Sequence, residues 1–292
     1  MAAQGPIKLL IAFAAGGGAD TQARLIAEEI EKRRGWKFQP VQVTGKGGAV
    51  MAAQLKSEPN DGTAIGFAAN ETWGYNMLSA KRPAYKASDF TYLTTTAGTQ
   101  MGVVTRKASG FKSWKEVVAA AKSGKALKFG SMSPKLADGA YLLARHHGIK
   151  FNIVSLKGGK AVLNAITAGD VDLGWVAGIQ AKGVKSGELL NLVSGEASRL
   201  KLSPDAPTTK ELGVPFDFGA AFMVAGPAGM PPAARDAITK AIIEVVSDPK
   251  TKVNAILVRA FGGAMTIHGA ALDQAIRDQV DATKALMAEA SK

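Results

Sequence analysis

Residues 7–24 read IKLLIAFAAGGGADTQAR, and the rest of the chain can be ordered around them. Ile7 to Phe13 is an almost unbroken apolar run, the pattern of a parallel strand covered on both faces. Gly16, Gly17 and Gly18 follow, residues that let the backbone turn sharply and approach a ligand closely. Asp20 and Thr21 stand where a helix begins. Ala23, Ile26, Ala27 and Ile30 then recur at helical spacing. A strand, a glycine loop and a helix start together form an anion site, because first-turn N–H groups lack partners and the helix dipole adds partial positive charge. The same glycines also suit a plain turn. The loop is not G-x-G-x-x-G, since the third position is Thr21, and it is not G-x-x-x-x-G-K-[ST], so a nucleotide is disfavoured.

The unit of strand, polar loop and helix recurs. Pro40–Val43 reads as a strand before the loop Thr44–Gly48 and a helix Ala49–Lys56. Pro59-Asn60-Asp61-Gly62 is a turn leading to a strand Thr63–Ala68. Asn70, Glu71, Thr72, Trp73 and Tyr75 follow at the strand end, where open parallel sheets place ligand contacts. Phe90 to Thr105 alternates loosely and reads as extended chain crossing between lobes. Ser113 and Glu116 form a capping box for a helix Trp114–Lys122. Leu127–Phe129 is a short strand running into a polar loop, Gly130 to Asp138, ahead of a helix Gly139–His147. The Ser131 and Ser133 hydroxyls suit a carboxylate there, and Ser133 or Asp138 acting as a simple cap fits equally well. Strand Phe151–Leu156 meets Lys157, Gly158, Gly159 and Lys160 before a helix Ala161–Ala168. Trp175, in a strand Val171–Val176, fits either the core or a cleft wall. Leu189–Ser194 is a further strand, and Phe222–Ala225 is a return crossing. Two helices, Ala233–Val246 and Ala270–Ala290, finish the chain. The expected organisation is a discontinuous first lobe, residues 1–104 plus 222–292, and an inserted second lobe, residues 105–221.

Composition limits the function classes. Of 292 residues 47% are hydrophobic, so a substantial core is expected. No cysteine is present, which removes thiolate chemistry and cysteine-based metal sites. The formal charge of +12 points to an anionic partner. Lys32, Arg33, Arg34 and Lys37 are the densest basic cluster, but they lie at a helix C-terminus, where cations are favourable anyway. With no helix-turn-helix, zinc-finger or RNP pattern, no nucleic-acid partner is expected. His146, His147 and His268 form no H-E-x-x-H, so no metal and no cofactor are expected. Ser198 and Lys201 match S-x-x-K without its companion motifs. Asp20, Asp138, Asp170 and Asp172 show no catalytic spacing, so the chain does not read as an enzyme. No apolar run reaches the length of a membrane span.

Four blocks carry a family resemblance: FAAGGGAD from Phe13, GKGGAVMAAQLKSEPNDGTAIGFA from Gly45, SLKGGKAVLNAITAGDVDLGW from Ser155, and MVAGPAGMPPAARDAITKAI from Met223. In this order the chain resembles the solute receptors of tripartite tricarboxylate transporters, the Bug-type periplasmic binding proteins. Where that family has Asn-Arg-Pro-Gly, this chain has Gln42-Val43-Thr44-Gly45. The resemblance implies an α/β type II periplasmic binding fold, two lobes joined by crossover strands around a central cleft. It implies a non-catalytic receptor for a small organic carboxylate, a C4 to C6 dicarboxylate preferred, serving membrane permease subunits. Phe13, Ala14, Gly17, Gly18 and Asp20 would supply amides and a water-holding carboxylate, with Asn70 nearby. Ser131, Ser133, Asp138, Lys157, Gly158 and Gly159 would hold the other end, with Trp175 as a wall. Trp73, Tyr75 and Trp175 leave an aromatic carboxylate open, and Glu71 an acidic amino acid. An enzyme on the same scaffold is the other class of reading. A monomer in the periplasm is expected, with a secretory signal removed and Met1 added afterwards.

Overall fold

The computed structural model describes residues 5–292. The chain forms two compact units, one running to Gly98 and including Ala220–Ala285, the other Thr99–Gly219 with Leu286–Lys292.

The first unit begins with β1 (Ile7–Ile11), then α1 (Gly18–Arg34), β2 (Phe38–Gln42), α2 (Ala49–Leu55), β3 (Ala64–Ala69), α3 (Tyr75–Leu78) and β4 (Phe90–Gly98). α1 starts at Gly18, ahead of Asp20, and buries Ala23, Ile26, Ala27 and Ile30, the positions whose spacing signalled it. Its last turn carries Lys32, Arg33 and Arg34, and Gly35 closes it in the left-handed conformation.

In the second unit the chain runs through β5 (Met101–Arg106), α4 (Trp114–Lys122), β6 (Leu127–Ser131), α5 (Pro134–His146), β7 (Phe151–Ser155), α6 (Gly159–Ala168), β8 (Leu173–Ala177), α7 (Ala181–Lys185) and β9 (Leu189–Ser194). α4 has the expected capping box: Ser113 Oγ accepts from Glu116 N at 3.3 Å, and Glu116 Oε2 from Lys112 N at 2.6 Å. The sheet order is β7-β6-β8-β5-β9, with β6 parallel to β7 and β8, and β5 antiparallel to β8 and β9. Phe129, Leu173, Trp175 and Val176 fill its interior.

Returning to the first unit, the chain adds β10 (Ala221–Pro227), α8 (Pro232–Ser247), α9 (Lys252–Phe261) and α10 (Gly269–Ala290), the last reaching past Ala285. This sheet has the order β2-β1-β3-β10-β4, β1 being parallel to β2 and β3 and β10 antiparallel to β3 and β4. Both sheets therefore share one pattern, with helices joining their parallel strands.

Three differences from the sequence expectation have local causes. The alternation from Phe90 to Thr105 is two strands in two sheets, broken at Thr99–Gln100, and the run looks continuous because both strands are buried on both faces. α5 begins at Pro134, inside the expected polar loop, because Ser133 is its cap and Pro134 occupies the first-turn position that needs no N–H. α9 was not anticipated. Thr251 Oγ1 caps it by accepting from Asn254 N at 3.1 Å, and Val253, Leu257, Ala260 and Phe261 are its buried positions.

Candidate functional site: uncapped helix starts after glycine loops

In the first unit β1 delivers the chain to a loop whose geometry is set by Asp20, the third residue of α1. Asp20 is buried, and its Oδ2 accepts from Gly16 N at 2.8 Å while Oδ1 accepts from Arg24 Nε at 2.7 Å. Gln42 Nε2 also donates to Oδ1, and Gln42 Oε1 accepts from Arg24 Nη2 at 3.1 Å. The carboxylate is thus the fastener of the glycine loop. Arg24 and Gln42 were missed as its partners; Arg24 lies one helical turn on, a spacing at which opposite charges meet, whereas Gln42 comes from β2 and only the fold brings it near.

The loop ends in a tight turn, Gly17 N donating to Ala14 O at 3.2 Å. A Cβ at Gly17 would lie 3.2 Å from the same oxygen, so a side chain there has to push the turn open. No side chain caps α1 at Gly17. The first-turn amides of Gly18 and Ala19 consequently have neither an intrahelical partner nor a cap. Phe13 and Ala14 are half-buried beside them. Asn70, just after β3, accepts at Oδ1 from Ala221 N at 3.0 Å, which fixes the side chain to β10 and leaves its amino group as a donor.

In the second unit, Ser131 and Ser133 are both buried. Ser131 Oγ donates to Ser133 O at 3.0 Å, so its proton is engaged. Ser133 Oγ accepts from Leu136 N at 3.4 Å, which leaves its own proton to offer. Asp138 lies half-buried on α5, not in a loop. Gly158 has φ 96°, open to glycine with little strain, and it precedes α6 with no side-chain cap. Gly158 N turns back to Leu156 O at 3.0 Å, so the amides of Gly159 and Lys160 start the helix unpartnered. Lys157 and Lys160 are exposed around them. Uncapped helix starts with added positive charge are suited to carboxylates.

The aromatic residues considered as walls are core residues. Trp175 is 0% exposed, donates Nε1 to Leu136 O at 2.8 Å, and packs against Phe129 and Phe218. Trp73 is enclosed edge-on by Phe90 and Tyr92, and Tyr75 is buried as well. Glu71 is also buried. The basic cluster of α1 is largely neutralised: Lys32 pairs with Glu28 and Glu29, Arg33 with Asp248, and Arg34 with Glu244. His147 packs against Trp114, and its pKa is lowered by burial, then by His146 and Lys122. Among the described residues no group of histidine and carboxylate side chains could hold a metal ion, and no helix is long and apolar enough to cross a membrane.

The profile of the tripartite tricarboxylate transporter family receptor matches residues 18–291. The chain belongs to that family. It is therefore a solute receptor of a transport system and not an enzyme. Solved structures agree in fold over almost the whole length. The periplasmic binding protein BugD has a TM-score of 0.86 at 22% identity, covering 99% of this chain and 98% of that one. MatC from Rhodopseudomonas palustris, with bound malate, has a TM-score of 0.83 at 21% identity, covering 96% and 98%. A second Rhodopseudomonas palustris protein, solved with adipate, has a TM-score of 0.83 at 20% identity, covering 98% and 97%.

Proposed function

We propose that this receptor captures a C4 to C6 aliphatic dicarboxylate in the periplasm, as a monomer, and delivers it to the membrane subunits of its transporter. The observation that carries the reading is that each unit has a glycine-led helix start, at Gly17 and at Gly158, with no side-chain cap. An uncapped helix start suits a carboxylate. In the first unit the donors are Gly18, Ala19 and the Asn70 amino group, close in sequence to Phe13 and Ala14 or held by β10. In the second unit they are Gly159, Lys160 and the Ser133 hydroxyl, with Lys157 adding charge. Asp20 acts through the loop, holding Gly16 and thereby the turn at Gly17. The relatives solved with malate and adipate support a ligand of this length.

An aromatic carboxylate fits less well, since Trp73, Tyr75 and Trp175 are buried and offer no ring face. The buried Glu71 likewise gives no support to a ligand ammonium.

The test is a thermal-shift series on ligand-stripped protein with malate, succinate, adipate, benzoate and glutamate. A ligand that binds only the folded state must raise its stability, by about 2.7 kcal/mol at one hundred times its Kd. A shift confined to the aliphatic dicarboxylates supports the reading. A shift with benzoate or glutamate alone replaces the ligand class.

A further inference from the structure

The second unit is entered at Thr99 and left at Gly219, and one dipeptide, Gly195-Glu196 just after β9, bonds to both places. Gly195 N donates to Met101 O at 2.8 Å, and Gly195 O accepts from Phe218 N at 2.6 Å and Gly219 N at 2.8 Å. Glu196 Oε1 accepts from Met101 N at 2.6 Å and from Thr99 Oγ1 at 2.8 Å. Its Oε2 lies against Gly219, where a Cβ would collide with it. Lys135 Nζ, from the first turn of α5, donates to Gly219 O at 2.9 Å. The charged groups acting on the carboxyl are Lys135 and Asp217.

We propose that Gly195-Glu196 is a proton-responsive clasp on the two stretches by which the chain enters and leaves the second unit, and that it ties ligand capture to pH. The ionised carboxylate accepts two strong, charge-assisted hydrogen bonds at Oε1. Protonation at Oε2 leaves only neutral bonds there and loosens the hold on Thr99 and Met101. Burial pushes the Glu196 pKa up to about 7, against the opposing pull of the Met101 and Thr99 donors and of Lys135, so both forms are populated near neutral pH. The coupling to ligand rests on the receptor reading. Lys135 is the second residue of α5, whose cap Ser133 is among the proposed contacts. A carboxylate bound there competes with Glu196 for the field of one ammonium, so binding draws a proton onto Glu196 and affinity falls as pH rises through neutral.

The clasp itself is tested without ligand. The Met101 amide resonance of the whole protein should titrate with an inflection near neutral pH, lose it in Glu196→Gln, and move to higher pH in Lys135→Met, where the facing cation is gone. A flat Met101 resonance, or the same inflection in Glu196→Gln, overturns the proposal. Calorimetric titration with adipate at pH 6, 7 and 8 tests the coupling. Wild-type affinity should fall roughly five-fold across that range, and Glu196→Gln should stay level. Parallel pH dependence in both proteins overturns the coupling. If adipate and malate bind at no pH, the dicarboxylate reading falls, while the Met101 resonance still decides the clasp.

Discussion

Asp20 and Glu196 are two buried or half-buried acids with different partners. Asp20 is held by a backbone amide, an arginine and a glutamine. Asp20→Ala should therefore lower stability by about 1–3 kcal/mol, because the loop loses the bonds from Gly16, Arg24 and Gln42, and weaken carboxylate binding through the loosened loop. Denaturant melts and calorimetry would check both. Full affinity with lowered stability would confine Asp20 to a structural role. For Glu196 the folded pKa of about 7 lies above its ordinary 4.5, so the folded state binds more protons than the unfolded one between those values. Stability from this group is present below about pH 4.5 and is lost as pH rises to about 7. Comparing melts at pH 5 and pH 8, Glu196→Gln should lose less stability than wild type, by about 2–3 kcal/mol as an upper estimate.

Among the elements, the uncapped starts of α1 and α6 are the proposed carboxylate sites, and the capped start of α5 contributes stability. Gly17→Val should weaken dicarboxylate binding ten-fold or more, about 1.4 kcal/mol, while costing the fold about 1 kcal/mol, since only the turn at Ala14 has to yield. Ser133→Ala should cost about 1 kcal/mol through the lost cap. Much of this was legible in the residues. The apolar run Ile7–Ile11, the glycines after it and the spacing of Ala23 to Ile30 announced β1, the loop and α1 without tertiary knowledge. What stayed hidden was set at a distance. Trp175 could be assigned to the core only once Phe129 and Phe218 were seen around it. Glu196 carried no motif, because its partners Met101 and Gly219 are far away in the chain. α7, at five residues, is too short to show a period. α5 was read too late because Ser131, Ser133 and Pro134, at and just before its start, read as loop residues.

For the whole molecule, the charge of +12 is expected to act on encounter with an anion more than on holding it. Since α1's basic turn is engaged in ion pairs, the field reaching a dianion comes from dispersed lysines such as Lys157 and Lys160. Stopped-flow association of a dicarboxylate should slow several-fold between about 0.02 M and about 0.5 M salt, as the screening length shortens, with dissociation changing less. Dissociation that accelerates more than association slows would assign the charge to the bound state instead.

The position of β10 has a consequence for synthesis. β4 is paired along its length with β10, and its other edge is met by the still later segment 264–268, with Thr95 N donating to Ile267 O at 2.9 Å and Met265 N to Thr96 O at 3.0 Å. On a ribosome adding about 5–20 residues per second, β4 emerges long before Ala221–Pro227, and the whole stretch Thr99–Gly219 is made in the interval. The second unit thus has nearly all of its chain available while the first still lacks the strand between β3 and β4. Vectorial synthesis favours completing the inserted unit first, with β4 needing protection as an open edge until the late strand arrives.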